Sequence, residues 1–308
     1  GIPRFLRSRL ALSRLFCFRL PHRMNVIPFL ALNCPLDGTP LRRSDASWRC
    51  SVGHCFDVAA QGYTNLLPVQ NKRSRDPGDS KEMVAARRRF LESGAYQPIA
   101  AAVSQAVLAD LPPGSLACLD AGCGEGYYLR QLADAAERSS EQQTLALLGL
   151  DISKWAVISA AKRDKRSNWI VGSNANLPVP TAALDRVLCM FGFPVYAEFA
   201  RVLKTGGLLL QVDAGPDHLR ELRETIYPTL KAERTTPTAI PDGFTPDTTE
   251  SIRYSLDLVG QAQIADLLAM TPHLYRATAE GRAKAAALTA LTVTVDVRLN
   301  CLRRKAGG

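Results

Sequence analysis

The stretch LDAGCGEGYY sets an acid, Asp120, just ahead of three glycines at alternate positions, Gly122, Gly124 and Gly126. Glycines there let the chain turn sharply and let backbone N–H groups approach a ligand closely. The spacing is Gly-x-Gly-x-Gly, not the Gly-x-Gly-x-x-Gly of a dinucleotide fingerprint. The carboxylate beside it suits a cationic group better than a pyrophosphate. A second acid, Asp151, ends the apolar run LGLD and can accept hydrogen bonds from both hydroxyls of a ribose. Another constellation stands earlier in the chain. Cys34, Asp37, Cys50 and His54 offer two thiols, a carboxylate and an imidazole, with Cys55 next in line. Zinc takes carboxylate oxygen at a bond length near that of imidazole nitrogen, so Asp37 can complete a tetrahedron. Cys55 replaces it if the loop turns differently. A segment without metal, held by the packing of Phe56 and Tyr63, is the alternative.

These groups need a frame, and the chain of 308 residues is long enough for one large domain or two unequal ones. Helix-period and strand-like stretches alternate from about Gln97 onward. PIAAAVSQAVLADL, GYYLRQLADAAERS, KWAVISAAKRD and YAEFARVLKTGG read as helices, the last stopped by its glycines. SLACLDAG, TLALLGLDIS, NWIVGSN, ALDRVLCMF and LLLQVDA read as five strands between them, and LTVTVDVRLNCL as a long antiparallel one near the end. Such alternation implies an α/β fold with a parallel sheet covered on both faces, and the glycine turn lies at the end of its first strand. The divisions expected are a leader over 1–29 outside the fold, a small metal-stapled module over 30–65, a basic linker and helix over 66–97, and an α/β domain over 98–308. Ser80 is the expected N-cap of the linker helix.

The net charge of +9 invites a nucleic-acid reading, but six arginines and no acid lie in residues 1–23, and without them the balance falls to +3. That leader reads as a transit peptide or as translated upstream sequence. The eight cysteines are scattered, as for buried thiols in a reducing compartment, the cytoplasm. No apolar run reaches membrane-spanning length.

The glycine turn with Asp120 and Asp151 resembles the seven-stranded, Rossmann-like S-adenosylmethionine-dependent methyltransferases, whose cofactor carries an ammonium, a sulfonium and a ribose. GSNANLP after the third strand then implicates Asn174 and Ala175 in adenine contact. CFDVAAQGYTNLLPVQNKRSRDPGDSKEMVAARRRFLESGAYQPI, AGPDHLREL and MTPHLYRA carry the likeness further. From about residue 32 to the C-terminus the chain resembles the bacterial 23S rRNA (guanine-N1)-methyltransferases, which join a zinc ribbon to such a domain. The NLLPVQNKRSRDPGDS run is similar to the Gram-negative-type branch. The resemblance implies zinc at Cys34, Asp37, Cys50 and His54, and cofactor contacts from Tyr96, Gly126, Tyr127 and His218. It implies a hairpin of 23S rRNA as partner, leaves room for a homodimer, and involves no membrane.

Guanine N1 holds a proton at neutral pH, so methylation there needs a general base near the ends of the fourth and fifth strands. Asp213 and His218 fall in that zone, Asp213 being the candidate base, while Asp185 lies at the wrong end of its strand. Phe191, Phe193 and Tyr196 either stack on the base or belong to the core. Lys72, Arg73, Arg75, Lys81, Arg87, Arg88 and Arg89 form a local cationic excess able to neutralise RNA phosphates. The rival readings are a small-molecule (quinone or antibiotic) methyltransferase and a non-enzymatic RNA-binding protein.

Overall fold

The computed structural model describes residues 23–306 apart from 72, 73, 75, 113 and 231–238. Five of the leading arginines, and Lys72, Arg73 and Arg75 of the linker, lie outside the described residues. The first strand among the described residues is β1 (Asn25–Pro28). Strands β2 (Arg42–Ser44), β3 (Ser47–Arg49) and β4 (Cys55–Asp57) form an antiparallel sheet of their own. A further strand, β5 (Tyr63–Asn65), precedes helices α1 (Lys81–Glu92) and α2 (Gln97–Leu108). Ser80 caps α1 by accepting the Met83 N–H, as expected.

The alternating part follows: β6 (Ser115–Ala121), α3 (Tyr127–Arg138), β7 (Thr144–Asp151), α4 (Lys154–Arg163) and β8 (Asn168–Val171). It continues through β9 (Leu184–Met190), α5 (Tyr196–Val202), β10 (Leu203–Ala214) and α6 (Arg220–Ile226). The end is β11 (Phe244–Val259), α7 (Gln261–Ala269), α8 (His273–Arg276), α9 (Ala279–Ala287) and β12 (Ala290–Arg304).

Seven strands lie in the order β8-β7-β6-β9-β10-β12-β11, with β12 antiparallel to both neighbours. This is the mixed α/β sheet expected. The chain runs outward from β6 through β7 and β8, then returns to β9 on the other flank of β6. The crevice at that reversal, beyond the strand carboxyl ends, is where open α/β sheets bind ligands. Residues alternate between two apolar layers: Leu116 and Cys118 join the layer of α1, α2 and α3, while Ala117, Leu119 and Ala121 join the layer that holds Trp48 and Phe199.

Several expectations need correction. Residues 24–29 belong to the fold: β1 pairs in parallel with Thr144–Leu147 of β7, and Met24 and Phe29 are buried. Within β7, only Leu148–Asp151 pair with β8, and β1 supplies the remaining half of that strand edge. β5 pairs with β8 in the large sheet and meets the small module only through an isolated bridge between Thr64 and Val58, so the sheet has nine strands among the described residues. The helix before β10 ends at Val202, ahead of the glycines, because the chain is already extended from Leu203. The scattered thiols Cys118, Cys123, Cys189 and Cys301 are free and buried, as anticipated.

Candidate cofactor site and metal centre

Asp120 is the penultimate residue of β6 and is fully buried. Neither of its carboxylate oxygens has a partner among the described residues. Burial first, and the charge of Asp151 second, push its pKa up to about 8. A buried carboxyl in this condition is a receptor for a donor or a cation. The turn that follows is built on left-handed backbone, with φ of 98° at Gly122, 54° at Gly124 and 81° at Gly126. A Cβ on Gly122 would meet nothing within 4 Å, so that face of the turn is open to a ligand. A Cβ on Gly126 would fall 2.6 Å from the indole of Trp169, so this glycine serves helix–strand packing.

Asp151 ends β7 and ties the turn down. One oxygen accepts the Gly124 N–H at 2.9 Å and the other the Ser153 N–H at 2.7 Å. Each oxygen retains a second lone pair for a ribose hydroxyl. Asn174, after β8, donates to the Ala121 carbonyl at 3.3 Å while its own buried side-chain oxygen has no partner among the described residues. The Ala175 N–H is held by the Ser173 hydroxyl. Tyr127 opens α3 with a buried hydroxyl that has no partner among the described residues. A cleft of about 480 Å³ adjoins Asp151, lined by Ile152, Lys154, Trp155, Asp76, Pro77 and Leu67 among others. Three unpartnered buried polar groups and an open glycine turn beside a ribose-ready acid fit S-adenosylmethionine.

Tyr96 and His218 meet across 122 residues, with Tyr96 Oη 3.3 Å from His218 Nε2. The Asp296 N–H donates to His218 Nδ1, so Nε2 carries the ring proton and donates to the phenol. Burial pushes the His218 pKa down to about 4, in keeping with this neutral tautomer. His218 lies in the turn just before α6, held by β12. The Phe191 ring stacks on His218, with centroids 5.7 Å apart, and lies 5.9 Å from the Tyr96 ring. Phe191 and Leu219, flanking this contact, both adopt φ of 53°, a strained state for bulky residues.

Asp213 lies near the end of β10, where one oxygen accepts the Gln211 amide at 2.8 Å. Gln211 in turn accepts the Tyr196 hydroxyl. Asp185 sits at the opposite end of the sheet, as expected, and is structural: it accepts the Ala117 N–H and pairs with Lys204. Two linker cations are engaged within the protein. Arg87 pairs with Asp79 at 2.6 Å and donates to the Met270 carbonyl, and Arg89 pairs with Asp266. The sequence reading of them as phosphate contacts missed these partners, which lie up to 183 residues away in the chain.

In the small module Cys34, Asp37, Cys50 and His54 offer donor atoms all within 4.8 Å of one another. Cys34 Sγ and Cys50 Sγ lie 3.4 and 3.5 Å from His54 Nδ1, and Asp37 Oδ2 lies 2.9 Å from it. Zinc bonds of about 2.0–2.3 Å set tetrahedral ligand edges of roughly 3.3–3.8 Å, so the set fits a zinc ion after small shifts. Thr39 explains the aim of Asp37. Its N–H and hydroxyl both donate to Oδ1, at 2.8 and 2.6 Å, which leaves Oδ2 facing the thiols and imidazole. These Thr39 bonds hold the carboxyl well below the usual carboxylate range. Cys55 is exposed and stands outside the cluster.

Residues 32–75 match the family described as "RlmA, N-terminal", and residues 118–207 the family described as "Methyltransferase domain". The chain is 36% identical over 206 residues to the 23S rRNA (guanine(748)-N(1))-methyltransferase of Streptomyces fradiae, covering 66% of this chain and 70% of that protein. It is 33% identical to a Micromonospora griseorubida protein provisionally named for 23S rRNA (guanine-N(1)-)-methyltransferase activity, covering 87% and 95% of the two chains. A Bacillus subtilis strain 168 protein with a name of the same form is 32% identical, with 88% and 96% covered.

Proposed function

The chain belongs to the 23S rRNA (guanine-N(1)-)-methyltransferase family, and from that premise we propose that it methylates N1 of a guanine in a hairpin of 23S rRNA. It is an S-adenosylmethionine-dependent methyltransferase. The observation that carries the reading is the pairing, in one chain, of a four-ligand module with a turn whose buried acid has no partner. A small-molecule methyltransferase needs the second and has no use for the first. The cytoplasm, where ribosomes are assembled, is the compartment that suits this substrate; no described helix is long and apolar enough to cross a membrane.

The bound cofactor supplies a methyl group on a sulfonium. Asp120 would hold the ammonium end, Gly122, Gly124 and Gly126 would admit the chain of the ligand to the backbone, and Asp151 would take the ribose hydroxyls. Asn174 and Ala175 would border the adenine. Tyr127, Tyr96 and His218 would complete the wall around the methionyl part. His218 has its Nδ1 occupied and its Nε2 protonated, so it orients and does not remove protons. The proton on guanine N1 falls to Asp213, which lies on the strand next to β9 at the same end of the sheet. Holding N1 in line with the methyl group supplies most of the acceleration. Zinc, held by Cys34, Asp37, Cys50 and His54, would rigidify the module that grips the hairpin.

The test is purified protein with S-adenosylmethionine and 23S rRNA, followed by nuclease digestion and mass spectrometry. N1-methylguanosine is expected with the wild type. A yield no higher than that of Asp151→Ala overturns the proposal.

A further inference from the structure

The three aromatic residues after β9 have three different surroundings. Tyr196 is anchored: its hydroxyl donates to Gln211 at 3.0 Å and its ring packs edge-on against Phe244. Phe191 turns inward onto His218 and Tyr96. Phe193 does neither. It is 91% exposed, the highest value among the described large apolar residues. A fully solvated phenyl ring forfeits the burial that ordinarily stabilises a phenylalanine, so its own fold gives no reason for it.

Its place in the chain supplies one. Phe191 is tied to β10 through its N–H to the Val212 carbonyl, and its left-handed backbone redirects the chain at the carboxyl end of β9. Gly192 then passes so close to the glycine turn that a Cβ there would lie 3.9 Å from the Ala121 carbonyl oxygen and 3.2 Å from Cys189 Sγ. Pro194 follows and limits the backbone freedom of Phe193. The ring therefore stands on a short, braced loop at the mouth of the cofactor crevice. It is a single ring and not a patch of several hundred Å², so it suits a flat partner of its own size better than a protein surface.

We infer that Phe193 stacks on the guanine that leaves its RNA hairpin to enter the site, with the Phe191–His218–Tyr96 wall behind it. This rests on the rRNA reading above and adds to it a residue that recognises the base by its face. A guanine extruded for chemistry loses its stacking in the hairpin, and an aromatic ring at the entrance restores part of that loss.

The experiment compares wild type, Phe193→Ala and Phe193→Trp on an rRNA fragment that contains the hairpin, with N1-methylguanosine as product and S-adenosylmethionine affinity measured by calorimetry. Phe193→Ala is expected to lower kcat/KM for RNA by between about fivefold and a hundredfold. Its cofactor affinity should stay within about twofold of wild type, and Phe193→Trp should keep most of the activity. Ultraviolet crosslinking of the wild-type complex should place a nucleotide adduct on the peptide that carries Phe193. A Phe193→Ala enzyme within twofold of wild type in kcat/KM overturns the inference and leaves the rRNA reading standing, as do adducts found only on other peptides. A shift from dimer to monomer on Phe193→Ala with unchanged kcat/KM assigns the ring to a second copy of the chain and also overturns it. A wild type that forms no N1-methylguanosine removes the rRNA reading and this inference together.

Discussion

The buried carboxyl of Asp120 makes cofactor binding a proton-linked event, and the size of the linkage follows from its surroundings. Burial and the neighbouring Asp151 raise its pKa to about 8 in the free protein. At pH 7 such a group is about nine-tenths protonated. The cofactor's ammonium favours the ionised form, so binding should expel about 0.9 of a proton per site at pH 7. Ionising the group costs about 1.4 kcal/mol at pH 7 and about 2.7 kcal/mol at pH 6, each multiplying directly into the dissociation constant. The sign is fixed by the direction of the shift. With a folded pKa above the unfolded one, this group favours the ligand-free fold at low pH, and that stability is lost as the pH rises toward 8. Ligand affinity moves the opposite way, rising with pH and levelling off above 8.

The window from pH 5.5 to 7 isolates the effect, because the cofactor's ammonium stays protonated there and His218, with its pKa near 4, stays neutral. Calorimetry with S-adenosylhomocysteine in buffers of different ionisation enthalpy reads the protons directly. The dissociation constant should fall by about tenfold per pH unit, and Asp120→Asn should flatten the dependence. Asp151, whose pKa is also raised by burial, is left in place by that substitution. A wild-type dissociation constant that varies by less than twofold across the window, with no proton released, would refute the assignment of Asp120 to the ammonium.

Three further outcomes are expected. Gly126→Ala places a methyl group 2.6 Å from Trp169 on backbone at φ 81°; thermal or urea unfolding should show a loss of about 2 kcal/mol or more. Tyr96→Phe leaves the His218 Nε2–H unpaired in a buried setting, which costs about 1–3 kcal/mol, visible as lower stability and weaker cofactor binding in equilibrium titrations. Asp37→Cys should bind zinc more tightly than wild type and Asp37→Ala more weakly, as measured by competition with a chromogenic chelator; equal affinities in all three would remove Asp37 from the ligand set.

Much of the parallel sheet was legible because its strands are buried on both faces, which leaves short apolar runs such as the LACL of β6 and the VLCM of β9. The glycine turn was legible because positive φ at three alternate residues is a demand that only glycine meets cheaply. The short strands were not legible. β1 and β5 have four and three residues, too few for periodicity to speak, and each exists because a distant strand, β7 or β8, presents an open edge. β11 was missed for another reason: it is an exposed edge strand, rich in polar residues, that relies on β12 along its length.

Chemical type came from the sequence alone: an acid and three glycines for a ribosylated cation, and two cysteines, an aspartate and a histidine for a metal. Those are properties of side-chain functional groups and backbone freedom, which travel with the residues. Which groups meet, and in what state, was decided only by tertiary structure. It buried Asp120 without a partner, aimed Asp37 through Thr39, paired Arg87 and Arg89 with acids of the protein itself, and locked His218 into one tautomer between Tyr96 and Asp296. It also separated three nearby aromatics into an anchor, a wall and a solvent-facing ring. Each of these outcomes depends on desolvation and on contacts between residues far apart in the chain, and neither quantity is defined until the chain has folded.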